Sequence, residues 1–231
     1  EAKDAVTIAE TAEPFHLMAA SEQLNDPNVC PNTNVLNDYL LQLSRSEQPL
    51  QALRKAEELL DRMWSISRKN AWEHVRPDHN TYERVMRCCL RSKRPGTAVT
   101  MQKLLQDMLK QYNPRFPKAL RPGRVHYQLV ISAWAERGNA RKAEAILDEM
   151  KARYEETGST DYKPVGKVCA AVLKALLRCQ EPSAPDRAEA ILNEMLLRYE
   201  KDGDTEWLPS DHCYTSIIAI WANSGRSDGA T

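Results

Sequence analysis

The sequence predicts an all-α fold, a solenoid of stacked helical hairpins, and three observations carry that expectation. Two octets, AEAILDEM (Ala143 to Met150) and AEAILNEM (Ala188 to Met195), differ at one position and begin 45 residues apart. Methionines recur at Met18, Met63, Met108, Met150 and Met195, at spacings of 45, 45, 42 and 45. Prolines keep step at Pro31, Pro77, Pro122, Pro164 and Pro209, each 13 or 14 residues after a methionine. Self-similarity at a fixed period of this size marks an array of supersecondary units, none of which buries its apolar face alone.

Each unit opens on its proline, which biases the preceding residue away from the helical region and so fixes where the next helix begins. Five residues after the proline stand Leu36, Tyr82, Tyr127, Cys169 and Tyr214. Eight and nine after it come Tyr39-Leu40, Val85-Met86, Val130-Ile131, Val172-Leu173 and Ile217-Ile218, and twelve after it Leu43, Cys89, Trp134, Leu176 and Trp221. Steps of three and four trace one buried face of a helix, here called helix A. Arg137-Gly138-Asn139 and Ser224-Gly225-Arg226 supply the flexible residue that ends it. A second amphipathic helix, helix B, ends near the methionine. Its stripe runs through Ala56, Met101, Ala143 and Ala188, then Leu59-Leu60, Leu104-Leu105, Ile146-Leu147 and Ile191-Leu192, and reaches one turn further at Tyr112, Tyr154 and Tyr199. Polar linkers such as residues 155–161 and 201–206 lead to the next proline.

The register gives one helical-repeat domain over 1–231. Residues 1–30 hold helix B of a preceding repeat, centred on about residues 5 to 22. Repeats 1 to 4 occupy 31–76, 77–121, 122–163 and 164–208, and 209–231 hold helix A of a partial fifth. The Met and Tyr columns are core on this reading, not a cofactor box.

Composition agrees. Hydrophobic residues make up 42% of the chain with only two Phe and eight Gly, which favours helix over sheet. No apolar run approaches the roughly 18 to 20 residues that span a bilayer, so membrane insertion is not expected. Cys30, Cys88, Cys89, Cys169, Cys179 and Cys213 form no CxxC pair and no cluster with histidine, so they are expected to be reduced structural thiols, with no metal. The first segment carries six acids against one lysine over residues 1–30, unlike an Arg-rich, acid-poor transit peptide.

The run Arg76-Pro77-Asp78-His79-Asn80-Thr81-Tyr82, the stretch Pro209 to Ile218, and Arg137-Gly138-Asn139 followed by Ala143 to Met150 together resemble the pentatricopeptide repeat family. The resemblance covers nearly the whole chain and implies a right-handed superhelix similar to that of tetratricopeptide repeats. The units here exceed the family's usual length by roughly ten residues, and tetratricopeptide units run at about 34. The excess falls after the methionine, in helix B and the linker.

The resemblance implies binding of single-stranded RNA in a mitochondrion or plastid, without catalysis, cofactor or small-molecule substrate. Repeats of this kind present a few side chains at one place per unit, where a splayed base can be sandwiched and its edge hydrogen-bonded. Carried over position by position, the base-reading pairs are Asn37 with Asp78, Glu83 with Gly123, Gln128 with Val165, and Ala170 with Ser210, with Thr215 opening a fifth. Asn37 with Asp78 is a combination the family uses for pyrimidines, preferentially uracil; the other three pairs are not standard. Base-sandwiching positions fall at Asn34, Asn80, Val125, Lys167 and His212, of which Val125 alone has the usual apolar character.

Formal net charge is zero, but residues 76–121 hold eleven Lys/Arg against three Asp/Glu. Arg84, Arg87 and Arg91 share one helical face, and with Lys93, Arg94 and Arg124 they are the candidate phosphate contacts; Arg115, Lys118 and Arg121 extend the segment. Two readings follow. The first is an organellar RNA-binding protein acting in RNA processing or within a ribonucleoprotein or ribosomal particle. The second is a protein-interaction scaffold on the same fold, favoured by a pI near 7.2 and the non-standard pairs. An enzyme is not expected: no phosphate-cradling glycine loop or HxE with PCxxC stands in the chain, and His16, His74, His79, His126 and His212 are scattered.

Overall fold

A computed structural model describes residues 14–112, 120–179 and 181–225. Among them are ten α-helices and no strand. They are α1 (Pro14–Leu24), α2 (Thr33–Arg45), α3 (Pro49–Asn70), α4 (His79–Ser92), α5 (Thr97–Gln111), α6 (Arg124–Glu136), α7 (Ala140–Thr157), α8 (Gly166–Cys179), α9 (Ala184–Asp202) and α10 (Asp211–Ser224). Even-numbered helices from α2 to α10 sit where helix A was expected, odd-numbered ones where helix B was. The leading helix runs Pro14–Leu24; the expected start near residue 5 lies outside the described residues, as do Arg115, Lys118 and Arg226.

The chain divides into two compact units, residues 1–97 with 106–121, and residues 98–105 with 122–231, so that α5 contributes to both. In the first, α2 packs on α3 and α4, and α3 packs on α4. In the second, α6, α8 and α10 pack side by side, each preceding helix B (α7 and α9) closing against its own helix A and the next. Each unit is thus built of helical hairpins in two layers, the expected helical-repeat architecture.

Both ladders are buried to completion. Met18, Met63, Met108, Met150 and Met195 are fully enclosed, as are Ala56, Met101, Ala143 and Ala188, the column seven residues earlier. All five ladder prolines are buried. The face of helix A behaves likewise at Leu36, Tyr82, Tyr127 and Cys169. It departs in α10, where Tyr214 is 41% and Ile218 68% exposed while Cys213, Ile217 and Ile220 are buried. The expected stripe is half covered there, because among the described residues no helix B follows α10 to close on it.

In the first two repeats the residue after the proline caps helix A with its side chain. Asn32 Oδ1 accepts from the Val35 N–H (3.1 Å) and Asp78 Oδ1 from the Thr81 N–H (2.8 Å), while the Asp78 N–H donates to Thr81 Oγ1 (3.1 Å). These side chains satisfy amides that the first helical turn leaves without partners. Two glycines answer backbone demands. Gly138 turns the chain out of α6 at φ 65°. At Gly166 a β-carbon would stand 3.2 Å from the Leu208 carbonyl oxygen of the next linker, so only glycine lets the two segments meet there without displacement.

One column escaped the sequence reading. The linkers looked polar, yet three of them wind into short 3₁₀ turns, Glu73–Val75, Thr160–Tyr162 and Thr205–Trp207, whose last residue plugs the core two places before the proline. Val75, Leu120, Tyr162 and Trp207 occupy that place and all are buried. Tyr162 meets Tyr127 edge-on at 6.1 Å, and Arg198 lies over the Trp207 ring at 4.9 Å. Truncating such a plug removes a large buried ring and leaves a cavity, so Trp207→Ala is expected to lower stability by about 3–5 kcal/mol. Urea unfolding followed by circular dichroism measures it.

Candidate nucleic-acid interface

The candidate interface lies on helix A. Each sandwiching position stands three residues before a reading position, on one helical face: Asn34 with Asn37, Asn80 with Glu83, Val125 with Gln128, Lys167 with Ala170, and His212 with Thr215. Asn34, Val125, Lys167 and His212 are exposed and Asn80 is half-buried, so this face is open toward solvent at its helix-start end.

The second member of every reading pair sits at or next to the start of the following helix A, at Asp78, Gly123, Val165 and Ser210. That placement explains the residue types independently of any ligand, since Asp, Gly and Ser are ordinary caps. At Gly123 the first-turn side chain works backwards, His126 Nδ1 accepting from the Gly123 N–H (3.0 Å). Val165 is buried and offers no side-chain acceptor.

Only Asn37 and Asp78 are hydrogen-bonded to each other. Asn37 Nδ2 donates to Asp78 Oδ1 (3.1 Å), and Asn37 Oδ1 accepts from Thr81 Oγ1 (2.7 Å). Asp78 Oδ1 also takes the Thr81 amide, which concentrates the bonds on one carboxylate oxygen. Asn37 is 4% exposed. By donor and acceptor inventory, Asp78 Oδ2 and the second Asn37 amide hydrogen are the groups that this pair could still offer a base. Glu83 instead pairs with Arg87 (2.8 Å), and Thr215 Oγ1 donates to the His212 carbonyl (3.1 Å).

The arginines of the positive stripe are engaged within the protein. Arg84 Nη1 donates to the Asn37 carbonyl and stands 3.5 Å from Asp38. Arg91 donates to the Ser44 carbonyl and to that of Ser46 (3.1 Å), at the carboxyl end of α2. Arg178 does the same in the second unit, reaching the Glu136 carbonyl at the end of α6 (3.2 Å). A helix leaves its last carbonyls without partners and carries partial negative charge there, so a guanidinium from the neighbouring unit is stabilising. Sequence reading missed this role. The signal was present, because Arg91 and Arg178 both stand 14 residues after their proline. Arg94 faces Glu57 at 3.7 Å, Arg124 pairs with Glu206 at 2.8 Å and reaches the Thr160 carbonyl at 3.3 Å, and Lys93 is exposed at the left-handed carboxyl cap of α4. The Arg124 and Lys163 hydrogen bonds hold the Glu206 carboxyl below its usual range.

Cys88, Cys89 and Cys169 are buried thiols. Burial pushes the Cys88 thiol up to about 11 and those of Cys89 and Cys169 to about 12. Among the described residues no three His, Cys, Asp or Glu side chains gather as metal ligands, and no helix is long and apolar enough to cross a membrane.

Among curated proteins, none matches the sequence. A family model described as the PPR repeat matches residues 125–154, which span most of the α6–α7 hairpin.

Two measurements follow from this geometry. In a double-mutant cycle, Asn37→Ala and Asp78→Ala are expected to be coupled, each costing about 1–3 kcal/mol alone and less than their sum together, because removing Asp78 strands the amide of buried Asn37 and that cost vanishes once Asn37 is gone. Alkaline pH is the second probe. The unfolded thiols ionise from 9.0, whereas the native ones stay protonated to about 11 or 12. A folded value above the unfolded one gives stability that is complete below pH 9 and is lost as pH rises toward about 12. Urea midpoints stepped through that range should fall less steeply in a Cys88→Ala, Cys89→Ala variant.

The match over 125–154 shows a pentatricopeptide-type repeat in the α6–α7 hairpin, and helical hairpins of the same plan recur along both units.

Proposed function

We propose that the chain is a non-enzymatic, organellar RNA-binding protein that acts within a ribonucleoprotein particle and holds single-stranded or ribosomal RNA by its backbone more than by its bases. It is read as one helical-repeat domain, with repeats over 31–76, 77–121, 122–163 and 164–208 between a leading helix B and a partial fifth unit. The observation that carries the proposal is the charge of residues 76–121, eleven basic against three acidic, in a chain whose formal net charge is zero. Such a segment attracts phosphate without asking for sequence. The Asn37–Asp78 pair is the one place where reading side chains meet, which suits a protein that selects at most a single pyrimidine along its length. Glu83, Gly123, Gln128, Val165, Ala170, Ser210 and Thr215 serve as packing, capping or general contacts on this reading, with Asn34, Asn80, Val125, Lys167 and His212 flanking the path.

A protein-interaction scaffold is the second reading. It is favoured by the internal engagement of Arg84, Arg91 and Arg124, whose guanidiniums already hold carbonyls and carboxylates of this chain. Filter binding against homopolymers and organellar RNA separates the two. The RNA reading expects affinity that falls steeply with salt and differs little between homopolymers beyond a modest preference for poly(U). A chain that retains a protein partner after nuclease and high salt, and holds no RNA at low salt, is a scaffold.

A further inference from the structure

A cleft lined mainly by the end of helix B in the first repeat and the linker after it gathers two guanidiniums. It is an open hollow of about 370 Å³ lined by Trp64, Ser67, Arg68, Ala71, Glu73, Arg76 and Gln111. All of these belong to the first compact unit, and none is a base-reading or sandwiching position. Trp64 is its floor, oriented by the bond from its indole N–H to Tyr82 Oη (3.1 Å). Two guanidiniums converge on that single indole, Arg68 at 4.6 Å and Arg76 at 5.8 Å from the ring centroid. Stacking on an aromatic face leaves the N–H edges of a guanidinium free to donate.

Those edges are under-used. Arg76 Nε is buried and has no hydrogen-bond partner among the described residues. Arg68 makes one long bond, to Gln111 Oε1 at 3.4 Å. Glu73 is the one carboxylate among the lining residues. Each guanidinium is attracted to the indole, but the two repel one another across it, and an anion in the open hollow offsets that repulsion.

We propose that this cleft holds a backbone phosphate of RNA between Arg68 and Arg76, a docking point on the helix B side away from the base-reading face of helix A. A tetrahedral phosphodiester carries two non-bridging oxygens that can face two separate guanidinium forks, whereas a planar carboxylate is matched by one. The flanking segment from residue 76 to 121 is the most basic of the chain, which favours nucleic acid over an acidic protein segment. The inference rests on the reading of the chain as an RNA binder and adds a second contact, so that an RNA strand or fold would touch both layers of the hairpins.

The test uses the whole chain and a fluorescein-labelled mixed-sequence RNA. In anisotropy titrations, Arg68→Glu and Arg76→Gln are each expected to weaken binding about tenfold at low salt and to flatten log K against log salt by about 0.7, one phosphate's worth on a single strand. Lys142→Gln, an exposed charge elsewhere, is the control. Because Arg76 is half-buried, wild-type protein is also treated with phenylglyoxal with and without saturating RNA, and modified arginines are mapped by mass spectrometry; RNA should protect Arg68 and Arg76. Wild-type protein that binds RNA while Arg68→Glu keeps full affinity and slope, or while both arginines stay equally reactive, overturns the inference alone. Protection by polyglutamate but not by RNA also overturns it and assigns the cleft to an acidic protein. If wild-type protein binds no RNA at all, the functional reading itself falls.

Discussion

A two-helix hairpin has one apolar face and nothing of its own to cover it, and the rest of this structure depends on that constraint. Within each compact unit neighbouring A helices pack on one another and on the B helices between them, and buried positions recur once per repeat: the methionine, the small or flexible residue seven before it, and the proline. A repeat of this kind tolerates little variation at those columns. Everything else can drift, which is why the two near-identical octets are both helix B and why the helix A surfaces differ so much from unit to unit.

Electrostatics follows the same period. Arg62 with Glu22, Arg187 with Glu144, Lys151 with Glu194 and Arg198 with Glu155 join successive B helices at separations of 40 to 43 residues. On the other layer, Arg84, Arg91 and Arg178 join successive A helices at separations of 42 to 47. Partly exposed pairs contribute little each, so their value lies in fixing how one hairpin registers against the next more than in total stability. The arginines that seal helix ends also show why a basic stripe in sequence is weak evidence for a ligand. The guanidinium is as well suited to the last carbonyls of a neighbouring helix as to phosphate, and this fold presents such carbonyls at every unit.

Caps carry a similar double meaning. Asp78 was expected from the sequence to face a base, and what the structure shows at this place is an acid after the proline that completes the first turn of α4 and anchors Asn37 across the repeat boundary. One residue thereby serves local structure and a possible ligand, whereas Val165 at the matching place does neither through its side chain. The cleft around Trp64 differs in kind, since Arg76 Nε is buried without a structural partner.

The sequence by itself determined the helical hairpins, their register and their core columns, because burial at one place per unit forces the same residue types to recur and recurrence is visible in one dimension. It also located helix A as the variable face. Three features were decided only in three dimensions. The plugs at Val75, Leu120, Tyr162 and Trp207 were hidden among polar linker residues, since one buried side chain per linker, different in type from unit to unit, leaves no amphipathic stripe around it. The engagement of Arg84 and Arg91 depended on carbonyls of another helix, about one repeat away, that no local pattern announces. The gathering of Arg68 and Arg76 on Trp64 required a helix, a 3₁₀ turn and a linker to fold back on one ring. Periodic burial is written along the chain, whereas convergence of side chains from different elements exists only once the hairpins have stacked.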